Sequence, residues 1–135
     1  MRYVALVDGK KGAYGVVVPD LPGCTSQGKT LDAAYRNAIE AVRLWVEDAL
    51  EDGEKIPHAR SMADLAGDNE VRRALAGGAV MVVVPLVRDI GRPVRANVSM
   101  DAGTLTAIDE EAKAHGLTRS AFLASAALEK IQRGT

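Results

Sequence analysis

Residues 94–100 read Val-Arg-Ala-Asn-Val-Ser-Met, four apolar side chains alternating with three polar ones. A period of two marks a strand with one buried and one solvated face. Two helical patterns follow. Asp101 is placed to cap the first, which carries Leu105, Ile108 and Ala112 on one side and ends at Gly116, the residue best suited to a left-handed terminus. Thr118 caps the second, where Phe122, Leu123, Ala126, Ala127 and Ile131 recur at helical spacing. No other segment limits the chain so strongly. A strand and two helices over about 43 residues, 93–135, lie near the size below which one chain rarely buries enough core. The lone strand also leaves its ladder groups unpaired. Pairing with the same strand of a second copy about a two-fold axis answers both problems, so a homodimer is expected, with a two-stranded antiparallel ribbon on four helices.

The first 87 residues have a different grammar. Residues 3–7 and 14–18 are β-type runs joined by the polar turn Gly9-Lys10-Lys11-Gly12, which predicts a hairpin. Pro19-Asp20-Leu21-Pro22-Gly23 ends the second run, because proline cannot donate to a ladder. A third short strand is expected around residues 24–27. Thr30 then caps a helix of about six turns, with Asp32 in its first turn. Leu31, Ala34, Tyr35, Ala38, Val42, Trp45, Val46 and Ala49 form its apolar stripe, and Gly53 and Pro57 close it. Residues 64–75 predict one shorter helix before Gly77-Gly78. The run 79–84, stopped by Pro85, is apolar on both faces, as for a buried central strand. Residues 88–92 carry charge and Gly91 ahead of Pro93 and read as a linker. The fold class is therefore α+β, in two parts: 1–87 and 93–135.

Composition narrows the function classes. The longest apolar run, residues 79–87, contains a proline and is far short of the roughly 20 residues that span a bilayer, so no membrane association is expected. The N-terminus reads as a strand and not as a secretory leader, and the single cysteine, Cys24, forms no internal disulfide; both fit a cytoplasmic location. With 4% aromatic residues the chain is poorly supplied for stacking single-stranded bases. Its formal charge of -1 excludes bulk electrostatic coating of nucleic acid. Residues 92–135 hold 6 Lys+Arg against 5 Asp+Glu, whereas residues 1–91 hold 11 against 13.

The run Arg95-Ala96-Asn97-Val98-Ser99-Met100, followed by Gly116-Leu117-Thr118-Arg119-Ser120, resembles the strand and inter-helix turn of the ribbon-helix-helix fold. In that family the outward strand residues read base edges in the major groove, which here implies Arg95, Asn97 and Ser99. Arginine can bond guanine at two points and asparagine can do the same to adenine, while serine is permissive. The same resemblance implies that Thr118, Arg119 and Ser120, at the start of the second helix, hold a DNA phosphate.

The stretch Tyr14-Gly15-Val16-Val17-Val18-Pro19-Asp20-Leu21-Pro22-Gly23-Cys24-Thr25-Ser26-Gln27-Gly28-Lys29-Thr30 is similar to the signature of the HicB antitoxin family, and Leu31-Asp32-Ala33-Ala34-Tyr35 and Ala38-Ile39-Glu40-Ala41 continue the likeness. Together the two resemblances cover nearly the whole chain. They imply a reduced RNase H-like antiparallel sheet with one long helix over residues 1–87, a HicA-type mRNA-cleaving toxin as partner, and repression of the chain's own operon through operator DNA. The resemblance is also compatible with a tetramer.

No catalytic residue, metal or cofactor is expected. An RNase H-type nuclease needs several carboxylates converging on two metal ions. The first strand has none at its middle, Asp8, Asp20 and Asp89 fall at strand ends or loops, and Glu40 and Glu47 lie off the apolar stripe, where they read as solvated charges. Cys24 as a nucleophile needs a base, and neither His58 in a loop nor His115 at a helix end is an evident one. Cys24 reads as a small packed side chain beside the Pro-Gly turn. Two alternatives remain open: a stand-alone ribbon-helix-helix regulator whose N-terminal domain binds another ligand or protein, and a metal-dependent nuclease.

Overall fold

The computed structural model describes residues 1–88 and 93–133. Most of the expected linker, together with Asp89, lies outside the described residues. The chain divides into two compact units, residues 1–88 and residues 89–135.

In the first unit, β1 (Arg2–Lys10), β2 (Ala13–Val17), β3 (Thr25–Gly28) and β4 (Val80–Pro85) form one antiparallel sheet in the order β3-β2-β1-β4. Between β3 and β4 run three helices: α1 (Leu31–Glu51), α2 (Met62–Ala66) and α3 (Asn69–Ala76). The interior positions belong to β2 and β1, not to the apolar run 79–84. Strand β4 pairs with β1 alone and sits at the edge. Its apolar character on both faces has a different cause: Val82 and Val84 join the core under α1, while Met81 packs with the residues of α2 and α3. Strand β1 is buried on both faces for the same reason. Tyr3 and Ala5 are fully buried against α1, and Val4 and Leu6 pack with Leu65 and Val71 on the other side.

The long helix follows its sequence pattern closely. Thr30 caps it, its hydroxyl accepting the Ala33 N–H at 3.0 Å, and Ala34, Ala38, Val42, Val46 and Ala49 are buried. Leu31, expected in the stripe, is 56% exposed at the first position of the helix. Tyr35 and Trp45 are half-buried and tie the helix to other elements: the Tyr35 hydroxyl donates to the Val83 carbonyl at 2.7 Å and the Trp45 indole to the Pro22 carbonyl at 2.9 Å. Residues 64–75 are not one helix. Gly67 ends α2, and the Asp68 carboxylate then accepts the N–H groups of Glu70 and Val71, starting α3 as a separate helix. A capping aspartate satisfies donors that a continuous helix would have bonded internally.

In the second unit, α4 (Ala102–Ala114) and α5 (Arg119–Arg133) are joined by a four-residue turn. Gly116 has φ +69, and Leu117 N–H donates to the Ala112 carbonyl at 2.8 Å while Gly116 N–H donates to that of Lys113. This is the Schellman closure, in which the left-handed residue lets two otherwise orphaned carbonyls be satisfied. Residues 93–100, where the alternation predicts a strand, form no ladder within the chain. The unit contains two helices and no strand among the described residues, so the expected strand is not formed by this chain alone.

Candidate functional site

Two regions carry the residues singled out from the sequence. The first is the loop after β2. Val18 N–H donates to the Cys24 carbonyl at 3.1 Å, and Cys24 N–H to that of Leu21 at 2.9 Å, so the loop closes on itself and buries Leu21 and Cys24. Burial pushes the Cys24 thiol above its ordinary value, favouring its protonated form. Cys24 is the packed side chain its neighbours suggested. His58 is exposed, and His115 lies in the second unit, where its Nε2 is 3.2 Å from a Glu111 oxygen.

Asp20 differs from its reading as a solvated charge. Its side chain is 6% exposed, and it accepts both the backbone N–H of Arg60 at 2.7 Å and the Arg60 Nε at 2.6 Å. A carboxylate in a loop looks solvated in sequence, but here the returning chain 40 residues later covers it. Arg60 also reaches Asp68 at 3.5 Å, linking the loop to the start of α3. The Asp20 hydrogen bond raises the Arg60 pKa above its usual value. The N–H of Val71, and then those of Glu70 and the Arg60 guanidinium, hold the Asp68 carboxyl below the usual range. Tyr3 pins the same returning segment by donating its hydroxyl to the Pro57 carbonyl at 2.7 Å. Neither Arg60 nor Asp68 was singled out from the sequence. Asp68 carried a usable signal, since Asp-Asn-Glu before an apolar residue is an N-terminal capping pattern; Arg60 carried none.

Among the described residues, the remaining carboxylates weighed for metal chemistry do not converge. Asp8 lies beside the β1–β2 turn opposite Gly15 in an open hollow with Gln27 and Lys29, and Glu40 and Glu47 pair with Arg43 on α1. No group of three or more His, Cys, Asp or Glu is placed to hold a metal ion among the described residues. No helix among them is long and apolar enough to cross a membrane.

The second region is residues 93–133. Arg95, Asn97 and Ser99 are exposed, and the apolar positions between them are too: Val94 is 76% exposed and Val98 69%. Thr118 caps α5, its hydroxyl accepting the Ala121 N–H at 3.1 Å. Arg119 turns back to Asp109 on α4, with Nε–Oδ1 and Nη2–Oδ2 both at 2.8 Å. Each partner favours the other's charge: the Asp109 carboxyl is held below its usual range and the Arg119 pKa is raised. Ser120 is exposed beside them. The turn thus brings Thr118, Arg119 and Ser120 together, whereas Arg95, Asn97 and Ser99 lie on the segment preceding α4. Helix α5 has no buried residue: Phe122 and Leu123 are half-buried, and Leu128 and Ile131 are 41% and 42% exposed. Asp109 escaped the sequence reading, although a helix–turn–helix with so short a turn places residues ten apart within reach.

Comparison with known proteins agrees across the chain's length. An uncharacterised 14.9 kDa protein from the rep-hol intergenic region of Haemophilus phage HP1 is 31% identical over 97% of this chain and 98% of its own length. The crystal structure of the antitoxin HicB of Burkholderia pseudomallei is 36% identical, with a TM-score of 0.55 over 97% of this chain and 98% of that one. The separately crystallised N-terminal domain of the same antitoxin is 32% identical, with a TM-score of 0.53 over 65% of this chain and all of that one. Residues 3–127 match the family described as HicB-like antitoxins of bacterial toxin–antitoxin systems, and the chain belongs to that family.

Proposed function

We propose that this antitoxin neutralises a HicA-type mRNA-cleaving toxin through residues 1–87 and represses its own operon by binding operator DNA through residues 93–135. The first unit is a closed α+β body with its own two-sided core, suited to masking a toxin surface by binding and not by chemistry. Its slight excess of acidic residues suits a basic partner.

The observation that carries the DNA-binding half is the unburied apolar face of the second unit. Val94 and Val98 alternate with polar residues in an extended pattern, and no residue of α5 is fully buried. Large apolar side chains left in water at this spacing call for a partner surface of the same kind. A second copy supplies it: two 93–100 segments pair as a ribbon, and the α5 stripes of both copies close a shared core, the ribbon-helix-helix arrangement. On that ribbon Arg95, Asn97 and Ser99 face outward together and reach base edges in the major groove, while the start of α5 holds a phosphate.

A truncation separates the two halves. Residues 1–88 alone are expected to bind and inhibit the toxin but to give no shift of operator DNA in a gel titration at fixed salt. A relative's N-terminal domain stands as a structure of its own, which makes the fragment a fair test. Loss of toxin binding by a folded fragment overturns the division of labour. A full-length chain that shifts operator DNA but meets no toxin would point to the stand-alone regulator.

A further inference from the structure

The turn between α4 and α5 is the place where a phosphate is expected, and its one cation is already engaged from within the chain. Arg119 presents its guanidinium edge-on to Asp109, two parallel contacts of 2.8 Å each. That fork is the geometry an arginine otherwise offers to a phosphate, so the two acceptors compete for the same donors. The competition is open to solvent: the Arg119 and Asp109 side chains are 54% and 43% exposed. Water screens such a pair, so the carboxylate's hold on Arg119 is one that a single substitution can release.

We propose that Asp109 is a built-in restraint on DNA binding, holding Arg119 away from the phosphate backbone and so setting a ceiling on the antitoxin's affinity for any duplex. The inference rests on the reading that residues 93–135 bind DNA. Asp109 bonds Arg119, assigned to phosphate, and none of Arg95, Asn97 and Ser99, assigned to base edges, so the restraint is blind to sequence. Releasing it tightens operator and unrelated DNA alike, and in a dimer it does so twice.

The test titrates the full-length chain and its Asp109→Asn variant against two duplexes, one carrying the DNA immediately upstream of its own reading frame and one of the same composition scrambled. Each further phosphate neutralised by a protein cation steepens the slope of log K against log salt by about 0.9, so the variant dimer is expected to be steeper by about 2 and several-fold tighter on both duplexes at low salt. In an Arg119→Ala background the same substitution is expected to change the slope little, because Asp109 acts through Arg119. Unchanged or weaker binding by a folded Asp109→Asn variant overturns the proposal. Should that variant lose helicity, the wild-type Arg119 Nε–H signal in 15N NMR decides: it is expected to stay in place when duplex binds, because the carboxylate keeps the guanidinium, and a shift that reports exchange of carboxylate for phosphate overturns the proposal. A wild-type chain that binds neither duplex overturns the DNA-binding reading itself.

Discussion

Asp20 and Arg60, 40 residues apart in the chain, meet through two hydrogen bonds of 2.6 and 2.7 Å, one from the arginine side chain and one from its backbone. The carboxylate is nearly buried, whereas the guanidinium is 39% exposed and continues to Asp68. One side chain therefore fastens both the loop after β2 and the segment leading to α2. Asp20→Ala leaves the Arg60 N–H without its acceptor. It is expected to cost about 1–3 kcal/mol, a penalty for an unsatisfied buried donor that the exposure of Arg60 keeps from being larger. Urea unfolding of the first unit measures it. A midpoint unchanged from wild type would show that water replaces the carboxylate freely.

Two tyrosines make stability sensitive to alkali. Burial, with a smaller contribution from Asp20, raises the Tyr3 pKa, and burial outweighs the nearby Arg2 charge in raising that of Tyr35. Both hydroxyls donate to backbone carbonyls, a bond that only the neutral phenol can make. With folded values above the unfolded value near 10, their contribution is intact below pH 10 and is lost as the pH rises through the folded values. Thermal melts at rising pH should therefore fall more steeply for wild type than for a Tyr3→Phe, Tyr35→Phe double variant. Parallel curves would show that neither hydroxyl is the cause.

Gly28 closes the approach of β3 to α1. A Cβ placed there would stand 2.4 Å from the backbone nitrogen of Ala34, a clash that only movement of the helix start can relieve. Asn37, donating to the Gln27 carbonyl at 2.8 Å, holds the two elements at that distance. Gly28→Ala is expected to destabilise the first unit by about 1–3 kcal/mol, the usual range for overpacking. Chemical denaturation reads this directly, and a neutral result would mean that α1 slides without penalty.

Arg95→Ala tests base reading. The side chain is exposed on a segment that forms no ladder within the chain, so its loss is not expected to disturb either unit's own packing. If it bonds a guanine edge in the operator, affinity for that duplex drops by about 1–3 kcal/mol while affinity for scrambled DNA changes far less. Equal losses on both duplexes would reassign Arg95 to phosphate binding.

Local chemistry was legible wherever a residue acts on its own neighbours. Thr30, Asp101 and Thr118 cap the helices their positions suggest, and Gly116 ends α4 through the left-handed turn expected of it. The apolar stripe of α1 was legible for the same reason, since a period of 3.6 fixes one face whatever lies opposite. What failed was lateral or distant. The run 79–84 has the composition of a central strand, yet hydropathy reports how well a strand's faces are covered and not how many neighbours it has. Gly67 and Asp68 divided a helix because a capping side chain competes with continuation, and nothing in the periodicity of residues 64–75 shows which prevails.

The sequence by itself determined most of the helices, the α+β class and, through the run Pro19-Asp20-Leu21-Pro22-Gly23-Cys24, the family likeness. These follow from interactions within a few residues, whose geometry the covalent chain already fixes. Tertiary structure alone decided that β1 lies inside the sheet and β4 at its edge, that Asp20 is buried under Arg60, and that Arg119 closes on Asp109. Each of these depends on which surfaces meet after the chain has turned back on itself. A charge becomes buried, paired or free according to what arrives beside it, and that arrival is not written at its own position.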